Sequence, residues 1–324
     1  MRRTGMVLLG VIVLAALGAP WLSPNPPNRR FNDLLYAPPT RIHVFDEGLS
    51  APHVHAWRLV SRLERRFDED RSTSAPLQWF TAGALVSAQP DRGAPLLLLG
   101  ADGYGRDIFS RLLHGARSTL ALAALATLAA TLLGALIGGV SGYAGGWVDG
   151  VLSRFSEFVL VLPAIYVALA LRAVMPLVLP ASTVFVLLAA IFTLLGWPMV
   201  ARGVRAIVLA EREREYAVAA RAAGASNARL LTRHLMPAAG GYVRTQATLL
   251  LPAFILAEAT LSYVGLGFPD TTPTWGTMLQ DASNVAMLGD APWTLAPAAA
   301  IFAVVLGVNL LVQSTGRAPV QLEP

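Results

Sequence analysis

The sequence predicts an all-α polytopic membrane protein of about six spanning helices, and three observations carry that reading. The 324-residue chain is 55% hydrophobic and only 14% charged, and its mean hydropathy of +0.55 is too apolar for a water-soluble domain of this size. Charge-poor runs of about 20 residues, the length that crosses a bilayer core as a helix, recur along it. The arginines collect on alternate segments between those runs, which is the pattern of cytoplasmic loops.

The first run is Met6 to Leu22, behind Arg2 and Arg3. The second, Ser118 to Val140, holds no charge. The third extends from near Ser153 to about Met175, with Arg154 and Glu157 in its first turns. The fourth is Ser182 to Ala201, the fifth Thr245 to Gly267 with Glu258 inside it, and the sixth Trp293 to Val312. All are apolar on every face, as lipid-facing or bundle-buried helices are. The first also has the pattern of a secretory signal, since Ala16-Leu17-Gly18 resembles a cleavage site. A retained helix is the preferred reading, and either choice leaves the next segment outside.

With the N-terminus in the cytoplasm, short inner segments carry Arg2, Arg3, Arg154, Arg202, Arg205, Arg212, Arg214, Arg221, Arg229, Arg233, Arg244 and Arg317, and short outer ones only Arg172. The outer loop before the last span holds Asp270, Asp281 and Asp290. Both termini are therefore expected inside a bacterial-type inner membrane.

Composition also excludes chemistry. There is no cysteine, hence no disulfide and no thiolate metal site. All 25 basic residues are arginine, so there is no P-loop lysine, Schiff-base lysine or lysine base. We expect no catalytic residue, no metal, no cofactor and no nucleic-acid partner on this chain.

The expected divisions are an N-terminal helix (1–22), an extracytoplasmic insertion (23–98), a membrane domain (99–316) containing a cytoplasmic loop (202–244), and a cytoplasmic tail (317–324). The insertion opens on Pro24-Asn-Pro-Pro27. Arg41 to Phe45 reads as a short strand, and Ala56 to Arg71 as an amphipathic helix with Trp57, Val60, Leu63 and Phe67 on one face. His53 and His55 could be two metal ligands, but a lone His-x-His reads better as ordinary surface.

The loop 202–244 contains Glu211-Arg-Glu-Arg-Glu-Tyr-Ala-Val-Ala-Ala-Arg-Ala-Ala-Gly224. Alanine and alternating charge favour a helix. Its Tyr216, Ala219, Ala220 and Ala223 share one small-residue face at helical spacing. Gly224 stops that helix as a left-handed residue would. Ser226 caps a second helix through about Leu235, which Pro237 ends. A face with few bulky side chains suits another protein's groove better than a core of its own.

These residues resemble the inner-membrane permeases of ABC importers, specifically the dipeptide/oligopeptide/nickel group. The family's Glu-Ala-Ala, Gly and Leu-Pro signature is matched by Val218-Ala219-Ala220, Gly224 and Met236-Pro237, with valine for the glutamate and methionine for the leucine. Also similar are Arg214-Glu215-Tyr216, Gly224-Ala225-Ser226, Leu99-Gly-Ala-Asp102, Gly105-Arg-Asp107, Gly142-Tyr-Ala-Gly-Gly-Trp-Val-Asp149, Leu256-Ala-Glu-Ala259 and Thr274-Trp-Gly276. The resemblance runs from about Leu99 to Val312. It implies the type I ABC importer permease fold and a docking loop for cytoplasmic ATPase subunits through Glu215, Tyr216, Ala219, Ala220, Arg221, Gly224, Ala225, Ser226 and Pro237. It also implies a second homologous permease and an extracytoplasmic solute-binding protein as partners, with ATP and Mg held by the ATPases. Glu258, well inside a span, costs about 2.5–3.5 kcal/mol to insert and is expected at the pathway or a subunit interface. A stand-alone secondary transporter or channel would need more polar residues within its spans, and a membrane-anchored enzyme would need chemistry in the insertion.

Overall fold

The computed structural model describes residues 2–45, 49–61, 65–81, 83–88, 94–176, 178–283 and 285–315. The expected tail 317–324 and Leu63 lie outside these. The chain divides into two compact units, Met1–Leu120 with Ala259–Ser314 and Ala121–Glu258 with Thr315–Pro324.

The helices are α1 (Arg2–Leu17), α2 (Ala19–Leu22), α3 (Ile108–Ala144), α4 (Gly146–Val161), α5 (Ala164–Ala173), α6 (Ala181–Arg212), α7 (Glu215–Ala222), α8 (Asn227–Arg229), α9 (Met236–Tyr263), α10 (Trp275–Asp281), α11 (Val285–Leu288) and α12 (Ala296–Thr315). Among the described residues four helical stretches are long and apolar enough to cross a membrane: Ile108–Ala144, Ala181–Arg212, Asn227–Tyr263 and Pro292–Val312. They cover the expected second, fourth, fifth and sixth spans.

The other two expected spans are built differently. The third is the pair α4 and α5, bent by 84° at the break between them. Pro163 is the cause, because the residue before a proline is driven out of helical geometry. Leu162 is accordingly extended, at φ −69° and ψ 130°. The expected first span falls on α1, whose 16 residues reach about 24 Å and which is not among the helices long and apolar enough to cross a membrane; the one-turn α2 follows it. Packing in the first unit still treats α1 as a bundle helix. A Cβ on Gly5 would stand 2.8 Å from the Gly307 carbonyl oxygen of α12, the close approach that small residues permit between spans.

Between α2 and α3 the chain is β-rich, which corrects the expected helix at 56–71. Strands β1 (Ile42–Phe45), β2 (Leu49–Ser61) and β3 (Arg66–Pro76) form an antiparallel sheet in the order β1-β2-β3. β4 (Gln78–Thr81) pairs with β5 (Ala84–Ser87). The strand expected at Arg41–Phe45 is present as β1. Of the apolar residues expected on one helical face, the three that are described do not share one. Trp57 and Phe67 pack on the cluster of Leu34, Ala37, Leu97 and Ala101, whereas Val60 is 56% exposed. Alternation through Trp57-Arg58-Leu59-Val60 won over the 3.6-residue pattern because a pairing partner, β3, supplied the ladder.

The same unit holds a buried ion cluster made by the Leu99–Arg111 segment. Arg106 is 2% exposed. Its Nε donates to Asp102 Oδ2 at 2.7 Å, Nη1 to both oxygens of Asp270 at 2.8 and 2.7 Å, and Nη2 to Asp281 Oδ2 at 2.6 Å. Asp102 Oδ1 also accepts the backbone N–H groups of Tyr104 and Arg106, at 2.9 Å each. Arg111, fully buried, lies 3.7 Å from Asp102 and 3.6 Å from Asp270. Asp107 precedes α3 and accepts from the Ser110 hydroxyl at 2.6 Å and Asn25 Nδ2 at 3.0 Å. Burial pushes its carboxyl up to about 6 against those hydrogen bonds. Asp281 is also raised to about 6 by burial, which outweighs the pull of Arg106.

The second unit packs around α6. A Cβ on Gly134, Gly138 or Gly142 of α3 would fall 2.6, 2.3 or 2.7 Å from the carbonyl oxygens of Trp197, Ala201 and Arg205. A glycine every fourth residue thus lets α3 lie backbone to backbone on α6. Phe155 of α4 stacks on Trp197, and Phe254 of α9 on Phe192, at centroid distances of 5.8 and 5.4 Å.

Candidate functional site

The loop after α6 is a rigid elbow. α7 ends as the sequence predicts. Gly224 has φ +83°, its N–H bonds to the Arg221 carbonyl at 3.0 Å, and the Ala225 N–H bonds to the Ala220 carbonyl at 3.0 Å. Those two bonds are the Schellman pattern, in which a left-handed residue returns the chain under the helix end. Ser226 then accepts the Arg229 N–H at 3.4 Å and caps α8.

The expected stop at Pro237 is corrected. Leu230–Leu235 form a π-helical turn that runs directly into α9, so the helix continues from Asn227 to Tyr263. A proline clashes with the carbonyl four residues earlier and donates no hydrogen bond. The wider π turn just ahead of it relieves the clash, with the Met236 N–H reaching back to Leu231.

The elbow sits on a core of Val200, Val204, Val208, Ala217, Leu230, Leu235 and Ala239. The three valines form one stripe of α6 at four-residue spacing. Ala217 faces that stripe, fully buried, and Ala220 packs against it too. Ala220 therefore belongs to the inner side of α7, not to the outward small face expected of it. Glu215, Tyr216, Val218, Ala219, Arg221 and Ala223 are exposed, as are Gly224, Ser226 and Pro237, while Ala225 is half-buried. The valine at the signature's glutamate position is 52% exposed, so the fold makes no demand on it. Tyr216 donates to Glu211 at 2.7 Å.

Sequence reasoning missed the ties that anchor this elbow. Asp149 of α4 receives both Nε and Nη2 of Arg205 of α6, the latter at 2.6 Å, and also the hydroxyl of Ser141 of α3. Tyr143 of α3 accepts Arg212 Nη1 at its carbonyl, 3.1 Å, and donates its hydroxyl to Asn227 at 2.7 Å. The end of α6 and the start of α8 are thus both held by one residue of α3. An aspartate in the otherwise uncharged turn Gly142–Gly150 was the only available signal. Asp149→Asn is expected to lower stability by about 1–2 kcal/mol. Arg205→Lys should do the same, because an ammonium cannot span both oxygens. Thermal melting of the purified chain checks both, and an unshifted Arg205→Lys melt would remove the bidentate geometry from the account.

Glu258 is fully buried in α9. His53 and His55 are 5% and 4% exposed, which corrects their reading as ordinary surface.

A family model described as binding-protein-dependent transport system inner membrane component matches residues 130–318. A second, described as the N-terminal TM domain of oligopeptide transport permease C, matches residues 2–39. The chain is 35% identical over 213 residues to the dipeptide transport system permease protein of Alkalihalophilus pseudofirmus, covering 65% of this chain and 67% of that one. It is 30% identical over 308 residues to the di/tripeptide transport system permease protein of Pseudomonas aeruginosa, covering 95% and 83%. Against the oligopeptide transport system permease protein of Lactococcus lactis subsp. cremoris the identity is 32% over 209 residues, covering 64% and 69%. With more than half of its residues inside the first match, the chain belongs to the family of binding-protein-dependent transport system inner membrane components, as a multi-pass permease subunit of an ABC importer.

Proposed function

We propose that this chain forms half of the translocation pathway of an ATP-driven importer of peptides or similar small solutes. The relatives' names support that solute class. The other half of the pathway is a second homologous permease, and an extracytoplasmic solute-binding protein delivers the solute. Hydrolysis takes place on separate cytoplasmic ATPase subunits that hold ATP and Mg, in keeping with a chain that has no lysine for a phosphate loop. The protein lies in the bacterial inner membrane with both termini inside, as the arginine bias requires. The segment between α2 and α3 is then extracytoplasmic.

The observation that carries this reading is the elbow. α7 turns Glu215, Tyr216, Val218, Ala219 and Arg221 outward while Ala217 and Ala220 fix it to the stripe of α6. Moving a two-state pathway from 1:99 to 99:1 takes about 5.5 kcal/mol of differential binding. A helix seated in a core transmits that, whereas a loose loop dissipates it.

The absence of cysteine makes the test direct. Ala219→Cys gives a chain with one thiol, placed on the outward face of α7. In the assembled complex it should cross-link to an ATPase subunit and be shielded from a membrane-permeant maleimide. Absence of the cross-link, or labelling by an impermeant maleimide from the extracytoplasmic side, would overturn the reading.

A further inference from the structure

The β-rich segment brings a third histidine to the two that the sequence places together. In the β1–β2 register His43 lies opposite His53, and His55 follows on β2. The three imidazoles are mutually adjacent, with ring centroids 5.0 Å apart for His43 and His55, 5.1 Å for His53 and His55, and 6.0 Å for His43 and His53. Glu69 of β3 reaches the same cluster, with Oε2 3.2 Å from His43 Nε2.

Those spacings have a definite chemical meaning. Zinc–nitrogen bonds of 2.0–2.1 Å in a tetrahedron put ligating imidazole centroids about 5.2 Å apart and ligating atoms about 3.3 Å apart. Two of the three centroid distances and the His43–Glu69 separation match these values, and the third centroid distance is longer by less than 1 Å. The tautomers match as well. His53 Nδ1 lies 2.9 Å from the Ala51 carbonyl, and His55 Nδ1 lies 3.2 Å from the Thr73 carbonyl. A carbonyl only accepts, so Nδ1 carries the proton in both rings and Nε2 holds the lone pair. This is the arrangement by which metal-ligating histidines are oriented. Among the described residues no group of three or more His, Asp or Glu side chains is already placed to hold a metal ion. Turning the His43 ring about Cβ–Cγ moves its Nε2 while leaving its centroid nearly in place and the Nδ1 hydrogen bonds of His53 and His55 intact. Arg41 sits 4.0 Å from the other oxygen of Glu69 and is 75% exposed at its side chain, so it can remain on that oxygen.

We propose that His43, His53, His55 and Glu69 form a tetrahedral site for a divalent transition ion of the zinc class. The site draws one ligand from each edge of the sheet and two from its centre. The core beneath is Val54, Ala75, Ala88, Ala94 and Leu96, three of them alanine, so an ion at this position adds a cross-link that a core of this size benefits from. Three neutral imidazoles and one carboxylate favour zinc over magnesium or calcium, which take oxygen ligands.

Cobalt(II), titrated into the purified full-length chain in detergent, is the probe. The expected result is one ion bound per chain with the intense visible absorption of tetrahedral cobalt, displaced by zinc. His43→Asn, on the edge strand, is the substitution least able to unfold the sheet. It should weaken binding at least about tenfold and remove the tetrahedral bands, and Glu69→Gln should weaken it by a similar factor. Zinc should also slow proteolysis within residues 42–87 of the wild-type chain, with no effect on His43→Asn. No saturable cobalt binding by the wild-type chain, octahedral bands only, or binding unchanged in His43→Asn would each overturn the proposal.

Discussion

Gly224→Asp abolishes solute uptake while the transporter still assembles. The reasoning separates local conformation from global stability. At φ +83° an L-residue other than asparagine or aspartate is strained by about 1–2 kcal/mol, and even those two are only tolerated. A Cβ at this position meets nothing within 4 Å, so the change is not a steric one and the elbow's core is untouched. What changes is the rim of the proposed docking face. A carboxylate is placed at the C-terminal end of α7, where the helix dipole disfavours negative charge, beside the exposed Arg221 and Ala223. Gly224→Asn shares the shape without the charge and should keep most of the uptake. Uptake by reconstituted vesicles, with co-purification of the ATPase as the assembly readout, checks the ordering glycine, asparagine, aspartate. Normal uptake by Gly224→Asp would take the elbow out of the mechanism.

Arg106→Met is the most damaging single change expected for the fold. One guanidinium satisfies three carboxylates from positions 102, 270 and 281. It is itself almost inaccessible to water. Removing one side of a buried ion pair costs about 3–5 kcal/mol because the other side is left charged and uncompensated. Arg111 is close enough to moderate this but does not replace the hydrogen bonds. The expected outcome is a large fall in melting temperature and in membrane accumulation, with partial recovery when Asp281→Asn is added to remove one stranded charge. A melt equal to that of the unmodified chain would show the cluster to be ornamental.

How far the sequence could be read depended on the range of the forces involved. Apolar runs were legible because a bilayer imposes length and polarity on each helix separately, and four of the six expected spans stand where the hydropathy put them. The elbow was legible for a similar reason, since Gly224 and Ser226 act within a few residues of themselves. The failures involve distant partners or a detail passed over. Residues 56–71 carry a passable helical stripe, yet 56–61 and 66–71 are strands because β1 and β3 offer ladders that no local pattern announces. The third span was drawn through Pro163, which breaks it. Arg205 and Asp149 lie 56 positions apart, and His43 joins His53 only through strand register. Ala220 was assigned to the outward face, although the α6 stripe claims it.

The π turn at Leu230–Leu235 has a consequence for how this part of the chain tolerates change. A turn of that kind is an α-helix carrying one residue more than its register needs. Shortening it by a single residue would restore α-helical register without rotating either neighbour, so Ser226 on one side and Glu258 on the other would keep their bearings, but Pro237 would again meet the carbonyl four residues before it. Anywhere else in the rod, the same deletion would swing every downstream side chain by about 100°. The knuckle before Pro237 thus serves its proline alone and leaves the bearing of the rod on both sides untouched.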